Sequence, residues 1–216
     1  MPLAIPALAA LGGFLVGLLS AWLTDLLQAQ DGLPSSRRGP LLRDPLVQVG
    51  LAAIWAVLAL RAVVDNGDWR WLAAAILAAP VVQVAVTDLR HRYVYTVVAL
   101  AGLVLGLGLE WLVYVAPWWW GAVGALIGLV LFVFLYLAGR LAYRGQEPLA
   151  RGDITIAAMI GAITGPQAPV ALVLGIVFSG ILALGVLVAQ RSRHVFLPYG
   201  PGLCLGGLVA LFLSPA

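Results

Sequence analysis

The sequence has no lysine, a single cysteine and few charges of either sign. Only 10% of its 216 residues are charged, against about 25% in an average soluble domain, while 63% are hydrophobic. That leaves too little polar side chain to coat a water-facing surface, which excludes a soluble globular domain. All 12 basic residues are arginine, and the 9 acidic ones leave a formal net charge of +3. The arginines fall in short clusters between long apolar runs, so no nucleic-acid partner is expected. One cysteine, Cys204, excludes both a disulfide framework and a cysteine-based zinc site, so no metal and no other cofactor is expected. The opening stretch, MPLAIPALAALGGFLVGLLSAWL, has no basic residue ahead of its apolar part. It is also too long for a secretory signal and reads as a retained membrane helix.

What the chain does have is a series of long apolar runs. They lie near Pro2–Leu27, Pro45–Leu60, Trp69–Val86, Val94–Val115, Trp118–Ala138, Ile154–Thr164, Ala168–Ala189 and Leu197–Leu213. A spanning helix needs about 20 mostly apolar residues, so eight of them leave room for connections but for no separate soluble domain. The expected fold is all-α: one integral membrane domain over residues 1–216, a polytopic bundle of about eight transmembrane helices. Arginine sets the orientation, because cytoplasmic loops collect it. The odd-numbered connections hold Arg37, Arg38, Arg43, Arg90, Arg92, Arg140, Arg144, Arg151, Arg191 and Arg193, whereas the even-numbered ones hold only Arg61 and Arg70. The N-terminus is therefore expected outside. Trp69, Trp71, Trp111, Trp118, Trp119 and Trp120 border the two larger outer connections, where an interfacial aromatic belt belongs. Gly165 and Pro166 interrupt the sixth run after barely a dozen apolar residues. Charge parity still requires the sixth and seventh runs to be separate spans.

Most acidic residues fall in connections (Asp31, Asp44, Asp65, Asp68, Glu147) or near helix ends (Asp25, Glu110), where water is expected to reach them. Asp88, closing the third run in AVTDLRHRYVY, and Asp153, opening the sixth in LARGDITIAAMIG, are different. The topology puts both at the cytoplasmic membrane boundary, where ionisable groups facing a bundle interior are costly and tend to be functional. Two carboxylates brought close share a proton; one then acts as base on a water while the other polarises a carbonyl. The bland reading of Asp153 is a helix N-cap, and that of Asp88 an interfacial ion pair with Arg90 or Arg92. Gly152 permits a close backbone approach or a left-handed turn. His91 and His194 stand between arginines and read as solvated interface residues. Gly102-xxx-Gly106 and Gly121-xx-Gly124-xxx-Gly128 read as close-packing helix faces. Pro80 reads as a kink in the third helix.

Three segments resemble the prepilin leader peptidases, membrane aspartic peptidases with a GxGD motif related to that of the presenilin-type proteases. Thr87–Tyr95, TDLRHRYVY, is similar to the family's first aspartate segment. Arg151–Gly165, RGDITIAAMIGAITG, is similar to the second, and Leu197–Gly207, LPYGPGLCLGG, to the Pro-Phe-Gly-Pro segment that opens the last helix. The resemblance implies cleavage of type IV prepilin or pseudopilin precursors at the cytoplasmic face of the inner (plasma) membrane, with Asp88 and Asp153 as catalytic pair. The arginines of that face would either repel a basic leader or hold anionic lipid headgroups that attract it. The pattern is departed from at three points: Val94-Tyr95 replaces Ile-Pro, Ala150 the first motif glycine, and Thr155 the motif lysine. Family members that also N-methylate the mature pilin carry paired Cys-x-x-Cys in the loop between helices one and two. Here that loop has no cysteine, so neither zinc nor methylation is expected. The runner-up reading is a catalytically silent membrane subunit or assembly factor with the same fold; a proton-coupled transporter is the third, though its carboxylates usually lie near the bilayer midplane.

Overall fold

The computed structural model describes residues 4–30, 45–64, 70–91, 93–142, 149–190 and 199–213. They form eight α-helices and no strand: α1 (Ala4–Gln30), α2 (Pro45–Val64), α3 (Arg70–His91), α4 (Thr96–Tyr114), α5 (Trp120–Ala142), α6 (Arg151–Thr164), α7 (Ala168–Gln190) and α8 (Gly200–Phe212). The eight apolar runs thus become eight helices, and six apolar helical segments among the described residues are long enough to cross a membrane. α1 leaves Leu8, Leu15 and Leu19 exposed, and α5 leaves Phe134 and Leu141, as lipid-facing rows should be. The protein is a polytopic membrane helix bundle.

Small residues let backbones touch, and their contacts show the direction in which each helix runs. Gly13 of α1 packs on Leu51 of α2, and Gly17 on Gln48, so this pair is antiparallel. Trp55 Nε1 donates to Ala75 O at 2.9 Å, joining α2 to α3. In α5, Gly124 meets Gly161 and Gly128 meets Ala157, which makes α5 antiparallel to α6; Gly102 and Gly106 of α4 meet Met159 and Ala162, which makes α4 parallel to α6. α8 runs alongside α6, with Gly200 by Ile156 and Gly207 by Ile160, whereas Gly175 and Ala171 of α7 meet Leu203 and Gly206 in antiparallel order. α6 and α7 therefore run in opposite directions.

The reversal happens at Gly165, whose φ of +45° is open to glycine and strained for other residues. A single 3₁₀ turn, Gly165–Gln167, carries the chain into α7. At 14 residues α6 is only about 21 Å long, short of a hydrocarbon core of about 30 Å. It needs no lipid-facing side, because it is the central helix: every residue from Ile156 to Thr164 is buried. Such a helix reads as apolar all round. α3 continues unbroken through Pro80. Alternation places the ends of α1, α3, α5 and α7 at the face whose connections hold ten of the twelve arginines. At the opposite face, Arg61 of α2 donates to the Phe212 carbonyl closing α8, and Tyr114 Oη donates to Ala210 O at 3.3 Å.

Candidate active site

Asp88 and Asp153 arrive at the arginine-rich face on different helices, and both are buried, 7% and 5% exposed. Asp88 sits in the last turn of α3. Alone, that would set a carboxylate against the negative end of a helix. The fold supplies the compensation from elsewhere: α8 begins at Gly200, and a Cβ on Gly200 would overlap Asp88 Oδ2. The amino end of α8 thus abuts Asp88 and presents the positive end of its dipole. The same Cβ would lie 3.0 Å from Ile156 Cδ1, one turn along α6 from Asp153, so Gly200 lies between the two acidic segments. Asp88 and Asp153 lie within electrostatic range of each other, and Cys204, one turn into α8, is fully buried.

Asp153 is not the N-cap. Ala150 is, and Asp153 occupies the third helical position, where Oδ2 accepts from Ala150 N–H at 3.1 Å. This is the carboxylate half of a capping box. It orients one oxygen of the side chain and sets the charge on the positive end of α6. Both acids of the pair therefore rest on helix amino ends, one intrinsic and one borrowed. Beneath them, fully buried Ile156, Ile160, Leu203 and Cys204 form an apolar floor.

Other expectations are met differently. Gly152 is helical, has no left-handed φ, and a Cβ there would reach Val94 only at 3.4 Å, an ordinary contact. The close approach expected of Gly152 belongs to Gly200. We therefore expect Gly152→Ala to keep its rate within about threefold, less than 1 kcal/mol of barrier. Gly200→Ala, which must push Asp88 aside, should lose about 100-fold, the scale of a 1 Å misplacement. Equal rates for the two variants in a cleavage assay would contradict this geometry. Glu110, expected in water, is 0% exposed, because the amino end of α5 and the Gly165 turn close over it. Asp25 is half-buried. Asp31, Asp44, Asp65, Asp68, Glu147 and His194, and the side chains of Arg90, Arg92 and His91, lie outside the described residues.

The departures from the motif leave the backbone intact. Tyr95 caps α4 with φ −71°, the value a proline ring fixes, and its buried ring packs edge-on against Tyr93 at 5.1 Å. Ala150 holds φ −75° and ψ 147°, extended backbone that needs no glycine.

Residues 75–186, just over half of the chain and including both aspartates, match the type IV leader peptidase family. The chain belongs to that family. Among its relatives, the "Type 4 prepilin-like proteins leader peptide-processing enzyme" of Escherichia coli O78:H11 is 31% identical over 175 residues, 80% of this chain and 62% of the relative. The "Prepilin leader peptidase/N-methyltransferase" of Xanthomonas campestris pv. campestris is 27% identical over 185 residues, 84% of this chain and 61% of the relative. The chain thus spans just over three-fifths of the length of these leader peptidase relatives. No solved structure shows a significant match.

Proposed function

We propose that the protein is an aspartic endopeptidase that cleaves the leader from type IV prepilin or pseudopilin precursors at the cytoplasmic face of the inner membrane, with Asp88 and Asp153 as the catalytic pair. The observation that carries this reading is that two buried carboxylates, one on α3 and one on α6, lie at the same end of a membrane bundle, on helices that both pack against Gly200. In the cleavage step the ionised carboxylate takes a proton from a water, and the water oxygen attacks the scissile carbonyl carbon. The protonated carboxyl hydrogen-bonds the carbonyl oxygen as charge develops there. Collapse of the tetrahedral intermediate breaks the C–N bond, and the first carboxyl gives its proton to the departing amine. The helix amino ends under both acids hold the pair in place during this exchange.

A membrane-inserted precursor suits this site: its apolar helix stays in lipid beside the bundle while the peptide at its end reaches the interface. Arginine on the same face would gather anionic headgroups, which attract a basic leader. The catalytically silent alternative draws on the three points of departure from the motif; the retained backbone at Tyr95 and Ala150 weighs against it. Coexpression with the pilin-like precursors of the same genome tests the proposal. Wild type should convert at least one of them to its leaderless form, and precursors that all persist at full length in its presence would sink it.

Methylation is a separate question. The sole cysteine, Cys204, is buried in α8, and the residues between α1 and α2 contain none, so the paired Cys-x-x-Cys that the resemblance links to methylation is missing. We expect the released pilin to have a free amine at its new N-terminus, checked by mass spectrometry of the mature product. An added methyl group dependent on this protein would contradict the expectation.

A further inference from the structure

Glu110 stands at the end of the bundle opposite Asp88 and Asp153 and takes no part in the chemistry above. It is nevertheless completely enclosed. Neither carboxyl oxygen completes a hydrogen bond among the described residues; the complementary group it faces is the amino end of α5 at Gly121. Its position against α6 is specific. Gly165, which ends α6 at φ +45°, has no room for a Cβ because Glu110 Oε1, Cδ and Cγ occupy that space. The Glu110 side chain thus fills the place of the missing side chain at the C-terminal end of α6.

That contact has a mechanical consequence. Along its flanks α6 meets Gly106, Gly124 and Gly128 backbone to backbone. These contacts fix how closely the helices lie, while the α6 side chains Met159 and Ile160 seat at Gly102 and Gly207. At the C-terminal end of the helix Glu110 adds a contact that bears along the axis. We propose that Glu110 is a positioning residue: seated between Gly121 and Gly165, it stops α6 axially and so fixes the height of Asp153, about 18 Å away along the helix, against Asp88. The inference rests on the catalytic pair proposed above.

The test compares Glu110→Ala, which removes the stop, with Glu110→Gln, which keeps its shape. For the purified full chain acting on a prepilin, Glu110→Ala should lower kcat by about 10-fold to 100-fold, the scale of a misplacement of up to 1 Å, and leave KM within about twofold. Glu110→Gln should restore kcat. A readout independent of catalysis uses spin labels at Arg151→Cys and Leu141→Cys in a Cys204→Ser background, both sites being exposed at the arginine-rich face. The label separation should change in Glu110→Ala and return in Glu110→Gln. Wild-type kcat in Glu110→Ala, a lowered kcat with unchanged label separation, or failure of Glu110→Gln to rescue would each overturn the proposal. If Glu110→Ala does not fold, Glu110→Asp, one methylene shorter, carries the same comparison. If wild type cleaves no prepilin, the peptidase reading falls while the label separations still decide whether Glu110 sets the height of α6.

Discussion

Asp88→Asn and Asp153→Asn should each insert and fold like wild type yet leave a coexpressed prepilin with its leader attached, a rate loss of about 1,000-fold or more. Asparagine matches aspartate in shape, so the contact with Gly200 survives in the first variant. In the second, the amide oxygen still accepts from Ala150 N–H. The cost in stability is then limited to a lost charge–dipole interaction, about 0.3–1 kcal/mol. What neither variant retains is a carboxyl able to take and return a proton, and that exchange alone is worth about 100-fold to 10,000-fold. Equal amounts of folded variant and wild type in the membrane, with precursor accumulating only in the variant, is the expected immunoblot. Normal processing by either variant removes that residue from the pair.

The second large effect concerns the seam between α5 and α6. A Cβ on Gly161 would overlap Gly124 O, and one on Gly124 would overlap Gly161 O. Backbone atoms, unlike a flexible side chain, cannot move aside, so even alanine must separate the helices. Overpacking of a filled core costs about 1–3 kcal/mol, and a contact on two backbones belongs at the upper end. Gly161→Ala should therefore lower the melting midpoint by about 5–10 °C, and Gly161→Leu should prevent assembly of the bundle. Activity should fall with it, since α6 carries Asp153. Gly108→Ala and Gly180→Ala are the controls: a Cβ at either meets nothing within 4 Å, and each should melt no lower than wild type. A seam variant that melts with the controls would show that α5 and α6 do not touch as described.

Much of this was legible in the sequence, because in a membrane the solvent writes the fold into hydropathy. Apolar runs became helices nearly end for end, and Gly165-Pro166 marked the reversal that the backbone makes at φ +45°. The glycine series on α4 and α5 marked the faces that meet α6. The failures share a cause. Glu110 reads as water-accessible because it stands near a helix end, and only the packing of α5 and the Gly165 turn encloses it. Gly152 reads as the glycine of close approach because it precedes Asp153; the close approach is made by Gly200, 48 positions further along the chain. Asp153 reads as an N-cap because helix starts are uncertain by a residue or two. Local pattern locates elements, whereas contacts between distant segments decide what a buried charge faces.

The central claim is that Asp88 and Asp153 face each other across one site. Its most direct measurement is cross-linking of Asp88→Cys with Asp153→Cys in a Cys204→Ser chain, using a short thiol-bridging reagent on native membranes. The account predicts rapid bridging within one chain, at a rate well above that of either cysteine paired with Leu8→Cys at the far end of α1. No bridging of the Asp88–Asp153 pair, while both thiols react singly, would contradict it.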